Sequence, residues 1–86
     1  MRRIAAHYIF WKKLLPLHYI ELGDDNTLIG VFPLNEEIAG TEFKDGVIFP
    51  SLDDQQEIKS VSELEASGIT DAVKTGSKVV LNQIIL

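Results

Sequence analysis

From Ile4 to Trp11 the chain carries apolar or aromatic side chains at almost every position, so any extended form of this segment must be covered on both of its faces. Read as a strand, Ile4, Ala6, Tyr8 and Phe10 line one face, and Ala5, His7, Ile9 and Trp11 line the other. Such a strand belongs at the centre of a sheet. The same residues also satisfy a helix, because Ile4, Tyr8, Trp11 and Leu15 recur at helical spacing. The Tyr, Ile, Phe and Trp content favours the strand.

The rest of the chain reads in the same idiom. Leu17 to Leu22 and Leu28 to Phe32 are strand-like, and Gly23-Asp24-Asp25-Asn26-Thr27 between them is a dense turn signal, which together predict a hairpin. Pro33 to Gly40 is a connection with a helical turn expected at Asn35-Glu36-Glu37-Ile38. Thr41 to Phe43, Lys44-Asp45-Gly46 and Val47 to Phe49 predict either a second tight strand pair or one bulged strand, closed by Pro50. Ser51 to Lys59 is polar and acidic and reads as a loop.

Ser60-Val61-Ser62-Glu63 has the form of a capping box, so a short helix is expected from Val61 to Gly68. Ile69 to Lys74 stays ambiguous. After the turn Thr75-Gly76-Ser77, the run Lys78 to Leu86 is the clearest strand pattern in the chain. The expected fold is therefore mainly β, a β-sandwich or small barrel-like module with one or two short helices, forming a single domain over residues 1–86.

Composition narrows the function. The chain has no cysteine, which removes disulfides, thiolate metal ligands and a cysteine nucleophile, and suits a reducing, cytoplasmic setting. Lys12 and Lys13 interrupt the apolar run after Trp11, and no membrane span is expected. A net charge of −5 argues against nucleic acid as a partner. That charge is uneven: residues 1–20 carry +4 and residues 21–86 carry −9. The expectation is a basic start lying beside acidic groups of the same fold. A basic amphipathic helix over residues 2–15 is the competing reading.

No catalytic constellation emerges. His7 and His18 are the only imidazoles and lie in apolar, strand-like stretches, where a backbone partner is the usual role. Asp24-Asp25, Glu36-Glu37 and Asp53-Asp54 are adjacent in sequence, which is not the facing geometry that acid–base catalysis requires. Asp24, Asp25 and Asn26 lack the further alternating oxygen ligands of a calcium loop and read as a turn. Neither a nucleophile elbow nor a phosphate-binding loop is present. No cofactor is expected.

Three segments, Ile4-Ala5-Ala6-His7-Tyr8-Ile9-Phe10, the hairpin around Gly23-Asp24-Asp25-Asn26, and Lys44-Asp45-Gly46-Val47-Ile48-Phe49-Pro50, together resemble the N-terminal part of metal-dependent amidohydrolases. The resemblance implies a small accessory β-sandwich of the kind that flanks the catalytic barrel in that family, with Lys78 to Leu86 as the strand that returns to complete it. It implies no activity. Where the family continues with glycine and a His-x-His metal motif, this chain has Ser51-Leu52-Asp53-Asp54-Gln55-Gln56.

The functional expectation is a non-catalytic β module that associates with itself, as a homo-oligomer, or with a larger protein. Trp11, Val80, Ile84 and Leu86 are its candidate interface residues. The alternative is a small metal- or ligand-binding protein of amidohydrolase-like ancestry that uses His7 and His18.

Overall fold

The structure is a computed structural model that describes residues 1–36, 38–55 and 57–86. Among the described residues, six strands form one mixed sheet: β1 (Arg2–Trp11), β2 (Lys13–Pro16), β3 (His18–Leu22), β4 (Leu28–Pro33), β5 (Thr41–Ser51) and β6 (Val80–Ile84). An α-helix, α1 (Val61–Ser67), and a 3₁₀ turn at Ile69–Ala72 lie between β5 and β6. The fold is mainly β, as the strand patterns predict.

The strand reading of the first segment holds, and the helical one does not. β1 is central, with β3 antiparallel on one side and β5 parallel on the other. The chain reverses after β1 around Lys12, whose φ is 69° and whose backbone N–H donates to the buried Thr70 hydroxyl at 2.8 Å. This hairpin and β2 are additions to the sequence reading, in which the next strand starts at Leu17. β2 and β3 share one register against β1: Trp11 faces Lys13, Tyr8 faces Pro16, Ala5 faces Tyr19 and Arg2 faces Leu22. They are one long partner of β1, interrupted at Leu17, whose φ of 54° throws its side chain outward.

The parallel pair β1–β5 contains a second irregularity. Between Ala6 and Tyr8 on β1, the partners on β5 advance from Lys44 to Val47, so β5 carries one extra residue. Lys44-Asp45-Gly46 is thus a bulge within a single strand. That strand runs through Pro50 to Ser51, past its expected end; parallel pairing with β1 stops at Ile48, so the missing proline N–H removes nothing from that ladder.

The two ends of the strand order, β4 and β6, meet. Thr27 bridges Lys78, the Leu28 N–H donates to the Ser77 carbonyl at 2.8 Å, and the Gly76 N–H donates to the Leu28 carbonyl at 2.8 Å. A sheet whose opposite edges touch must curl, which gives the barrel-like form. Its inner core is Ile4, Ala6, Ile9, Ile20, Leu22, Leu28, Ile48, Val73 and Val79. Tyr8 and Phe10 instead join Val47, Phe49 and Ile84 on the outer face, where Leu64 of α1 covers them. β1 therefore changes face partway along, and Ile9 and Trp11 take the inner positions that simple alternation gives to Tyr8 and Phe10.

Local signals explain the covering helix. The Ser60 Oγ accepts from the Glu63 N–H at 3.2 Å and donates to the Glu63 carboxylate at 3.2 Å, and Gly68 ends the helix at φ 63°. The ambiguous Ile69–Lys74 segment supplies the 3₁₀ turn. The helical turn expected at Asn35-Glu36-Glu37-Ile38 includes Glu37, which lies outside the described residues, as does Gln56 of the expected 51–59 loop. The last strand is shorter than expected, ending at Ile84. Asn82 ties it to β5: its Nδ2 donates to the buried Ser51 hydroxyl at 2.8 Å, and its Oδ1 accepts from the Gln55 N–H at 3.0 Å.

The basic start does lie beside acids of the same fold. Arg2 Nε donates to the Glu42 carboxylate at 2.9 Å, and Arg3 Nε to that of Glu21 at 2.9 Å. Residues 2–15 fall in β1, the turn at Lys12 and β2, so the basic helix expected as the competing reading does not form.

Candidate functional site

The two strand irregularities fall side by side and make a cleft. Leu17 interrupts the partner of β1 opposite His7, whose carbonyl accepts from the Leu17 N–H at 3.4 Å, and the β5 bulge faces the same stretch of β1 from the other side. Between them opens a cleft of about 620 Å³ lined by His7, Leu17, Phe43, Asp45, Ile85 and Leu86 among others. Leu86, Ile85, Leu17 and Phe43 are 74%, 68%, 66% and 58% exposed, which places four of the five most exposed large apolar residues around one opening. Single exposed apolar side chains need no explanation, but a contiguous group does.

His7 is positioned within this cleft. Its Nδ1 accepts from the Gly46 N–H at 3.3 Å, which leaves Nε2 as the protonated nitrogen, and its ring meets Phe43 edge-on at 5.4 Å. The cleft thus combines His7 and Asp45 with an apolar surround. His18 has the opposite tautomer, because its Nδ1 lies 2.8 Å from the Pro16 carbonyl and must donate to it. Both imidazoles have backbone partners. Among the described residues, no three His, Cys, Asp or Glu side chains are grouped to hold a metal ion.

The expected interface residues separate. Val80 is 40% exposed at the start of β6, and Leu86 lies in the cleft. Ile84 is 4% exposed in the outer core, so it is a packing residue. Trp11 is half-buried against the inner core, its indole N–H donates to the Val73 carbonyl at 3.1 Å, and Lys12 Nζ stands 5.2 Å from its ring centroid. That side chain fastens the end of β1 to the segment after α1. His7 was a sequence candidate and lies in the cleft, whereas Leu17 and Phe43 were not singled out, because they occupy positions that alternation assigns to strands.

The last strand pairs with β5 inside the chain, Val47 facing Ile84 and Ser51 facing Val80. Among the described residues, β6 has a sheet neighbour on that side alone, and the segment Gly76 to Val79 that leads into it bonds the opposite edge, the Val79 N–H donating to the Asn26 carbonyl at 3.0 Å. Among the described residues, no helix is long and apolar enough to cross a membrane.

Comparison with protein-family models, with curated proteins and with solved structures found no match. The likeness to the amidohydrolase accessory module gains no support from these comparisons.

Proposed function

We propose that this chain is a non-catalytic β module that works by association, with a second copy of itself or with a larger protein. The observation that carries the reading is the clustering of Leu17, Phe43, Ile85 and Leu86 around one cleft. Covering apolar surface gains about 25 cal/mol per Å², so a contiguous patch of this kind favours a partner that shields it. The His7 N–H and the Asp45 carboxylate supply the polar contacts that fix orientation, and the second edge of β6 offers backbone groups close by.

Light scattering over a micromolar concentration series, with affinity capture in parallel, tests the proposal on the wild type and on a Leu17→Ser/Phe43→Ser variant. The expected result is a self-associated species or a captured partner that the double variant loses. A wild type that stays monomeric and captures nothing, or a variant that behaves as the wild type does, overturns it.

A further inference from the structure

Leu17 combines two features that each cost stability in an isolated chain. Its φ of 54° lies in the left-handed region, which disfavours any residue with a Cβ, and its side chain is 66% exposed. Among the described residues, the other non-glycine positions with positive φ are Lys12 and Asn26. Asparagine tolerates that region because its short polar side chain bonds locally, and the Lys12 ammonium stands over the Trp11 ring while its backbone N–H bonds Thr70. Leu17 alone of the three carries a large apolar side chain into water.

The sheet sets this backbone, not the side chain. The Leu17 N–H donates to the His7 carbonyl at 3.4 Å, and the Leu17 carbonyl accepts from the Leu34 N–H at 2.8 Å, so the residue is tied to β1 on one side and to the segment after β4 on the other. Asparagine or glycine takes the same conformation with less strain and exposes no large apolar group. The leucine instead projects beside a cleft whose Phe43, Ile85 and Leu86 are also exposed. Strain retained at such a place points to a contact that needs the side chain.

We infer that the partner covering the cleft is a second copy of the chain, and that Leu17 of each copy is the anchor seated in the cleft of the other; this rests on the association reading of the cleft. One surface carries both halves of the contact, a projecting leucine and, beside it, a recess of about 620 Å³ with apolar walls. Two copies related by a two-fold axis therefore fill each other's recess. Charge favours the same occupant. A net charge of −5 on each chain opposes self-association wherever acids gather, but Asp45 is the one acid among the described residues that line the cleft, and His7 shares the lining with it. A two-fold contact brings one carboxylate and one imidazole from each copy, so each Asp45 has an imidazole of the other copy to face. A strongly charged partner finds no matching field in this lining.

Sedimentation of the purified full chain over a micromolar concentration series tests the inference on the wild type, Leu17→Asn and Leu17→Ala, with affinity capture alongside and urea titrations at dilution, where the copies are apart. The purified wild type is expected to dimerise with no other protein present, and both variants to weaken the dimer at least tenfold. At dilution Leu17→Asn should raise the urea midpoint by roughly 0.5 M, whereas Leu17→Ala, which keeps a Cβ in the left-handed region, should not. The inference is overturned by a purified wild type that stays monomeric, by a dimer that either variant leaves unchanged, by a Leu17→Asn midpoint no higher than that of the wild type, or by an equal rise in Leu17→Ala. A monomer that still captures a larger protein through the cleft overturns this inference alone. A monomer that captures nothing overturns the association reading with it.

Discussion

Gly46 lies so close to the carbonyl of Ile84 that a methyl group built on its Cα would stand 2.1 Å from the Ile84 oxygen. The β5 bulge and the end of β6 are therefore fitted to each other through a position that has no room for a side chain. Gly46 also has a φ of 76° and donates its N–H to His7, so one residue joins the bulge, the last strand and the cleft histidine.

Gly46→Ala is expected to lower the unfolding free energy by at least ~2 kcal/mol in urea titrations, combining the left-handed backbone cost with the overlap. Gly40 is the control: its φ of 78° is similar but nothing lies within 4 Å of an added Cβ. Gly40→Ala should cost only ~1 kcal/mol. Equal effects at the two glycines would show that the close approach to Ile84 is unimportant.

Leu64 is fully buried and is the one buried residue of α1, so the outer core depends on it. Leu64→Ala should destabilise by ~2–5 kcal/mol, measured by chemical denaturation. A loss below 1 kcal/mol would mean that α1 is not seated on the sheet.

Trp11 is the chain's single tryptophan and bonds the Val73 carbonyl across 62 residues of sequence. Trp11→Phe keeps one aromatic ring but removes the five-membered ring with its N–H donor, and should cost about 1–3 kcal/mol by thermal or urea melts followed by circular dichroism. An unchanged stability would show that this link contributes nothing.

Acid should weaken the barrel closure. The Asp25 carboxylate accepts from the Thr27 hydroxyl at 2.6 Å and from its backbone N–H at 3.2 Å, and these bonds, with a smaller contribution from Lys78, hold it below its ordinary range. Glu42 is lowered in the same direction by its hydrogen bond from Arg2. A depressed folded-state value adds stability that is present above the unfolded carboxylate range, near about pH 4, and is lost as pH falls through the folded value. Melting temperature followed from neutral pH downwards should therefore fall through and below that range, and Asp25→Ala should flatten part of the fall. Identical acid limbs in the wild type and the variant would contradict this.

The sequence was most legible where local chemistry and pattern agree. The turn at Gly23 to Thr27, the capping serine at Ser60 and the stop at Gly68 each act through neighbouring backbone groups, so their residues announce them. The double covering of β1 follows from its composition. The hairpin at Lys12 was hidden because a lysine there gives no turn signal; its left-handed backbone is accompanied by a bond to Thr70, which only the fold brings near. The face change along β1 depends on the bulge in a strand that begins 30 residues after β1 ends, and no pattern within β1 contains it. The cleft was hidden for the same reason. Leu17 and Phe43 carry strand-like side chains in strand-like stretches, and they are exposed because two irregularities, distant in sequence, fall opposite one another.

The proposal of association through the cleft is tested most directly by a photoreactive benzophenone amino acid at position 43, with the same group at position 32 on β4 as control. The account predicts a defined cross-linked product from position 43, either a dimer or one complex with a larger protein, that excess unlabelled wild type suppresses and that position 32 does not give. No product at position 43, or the same products from both positions, would contradict it.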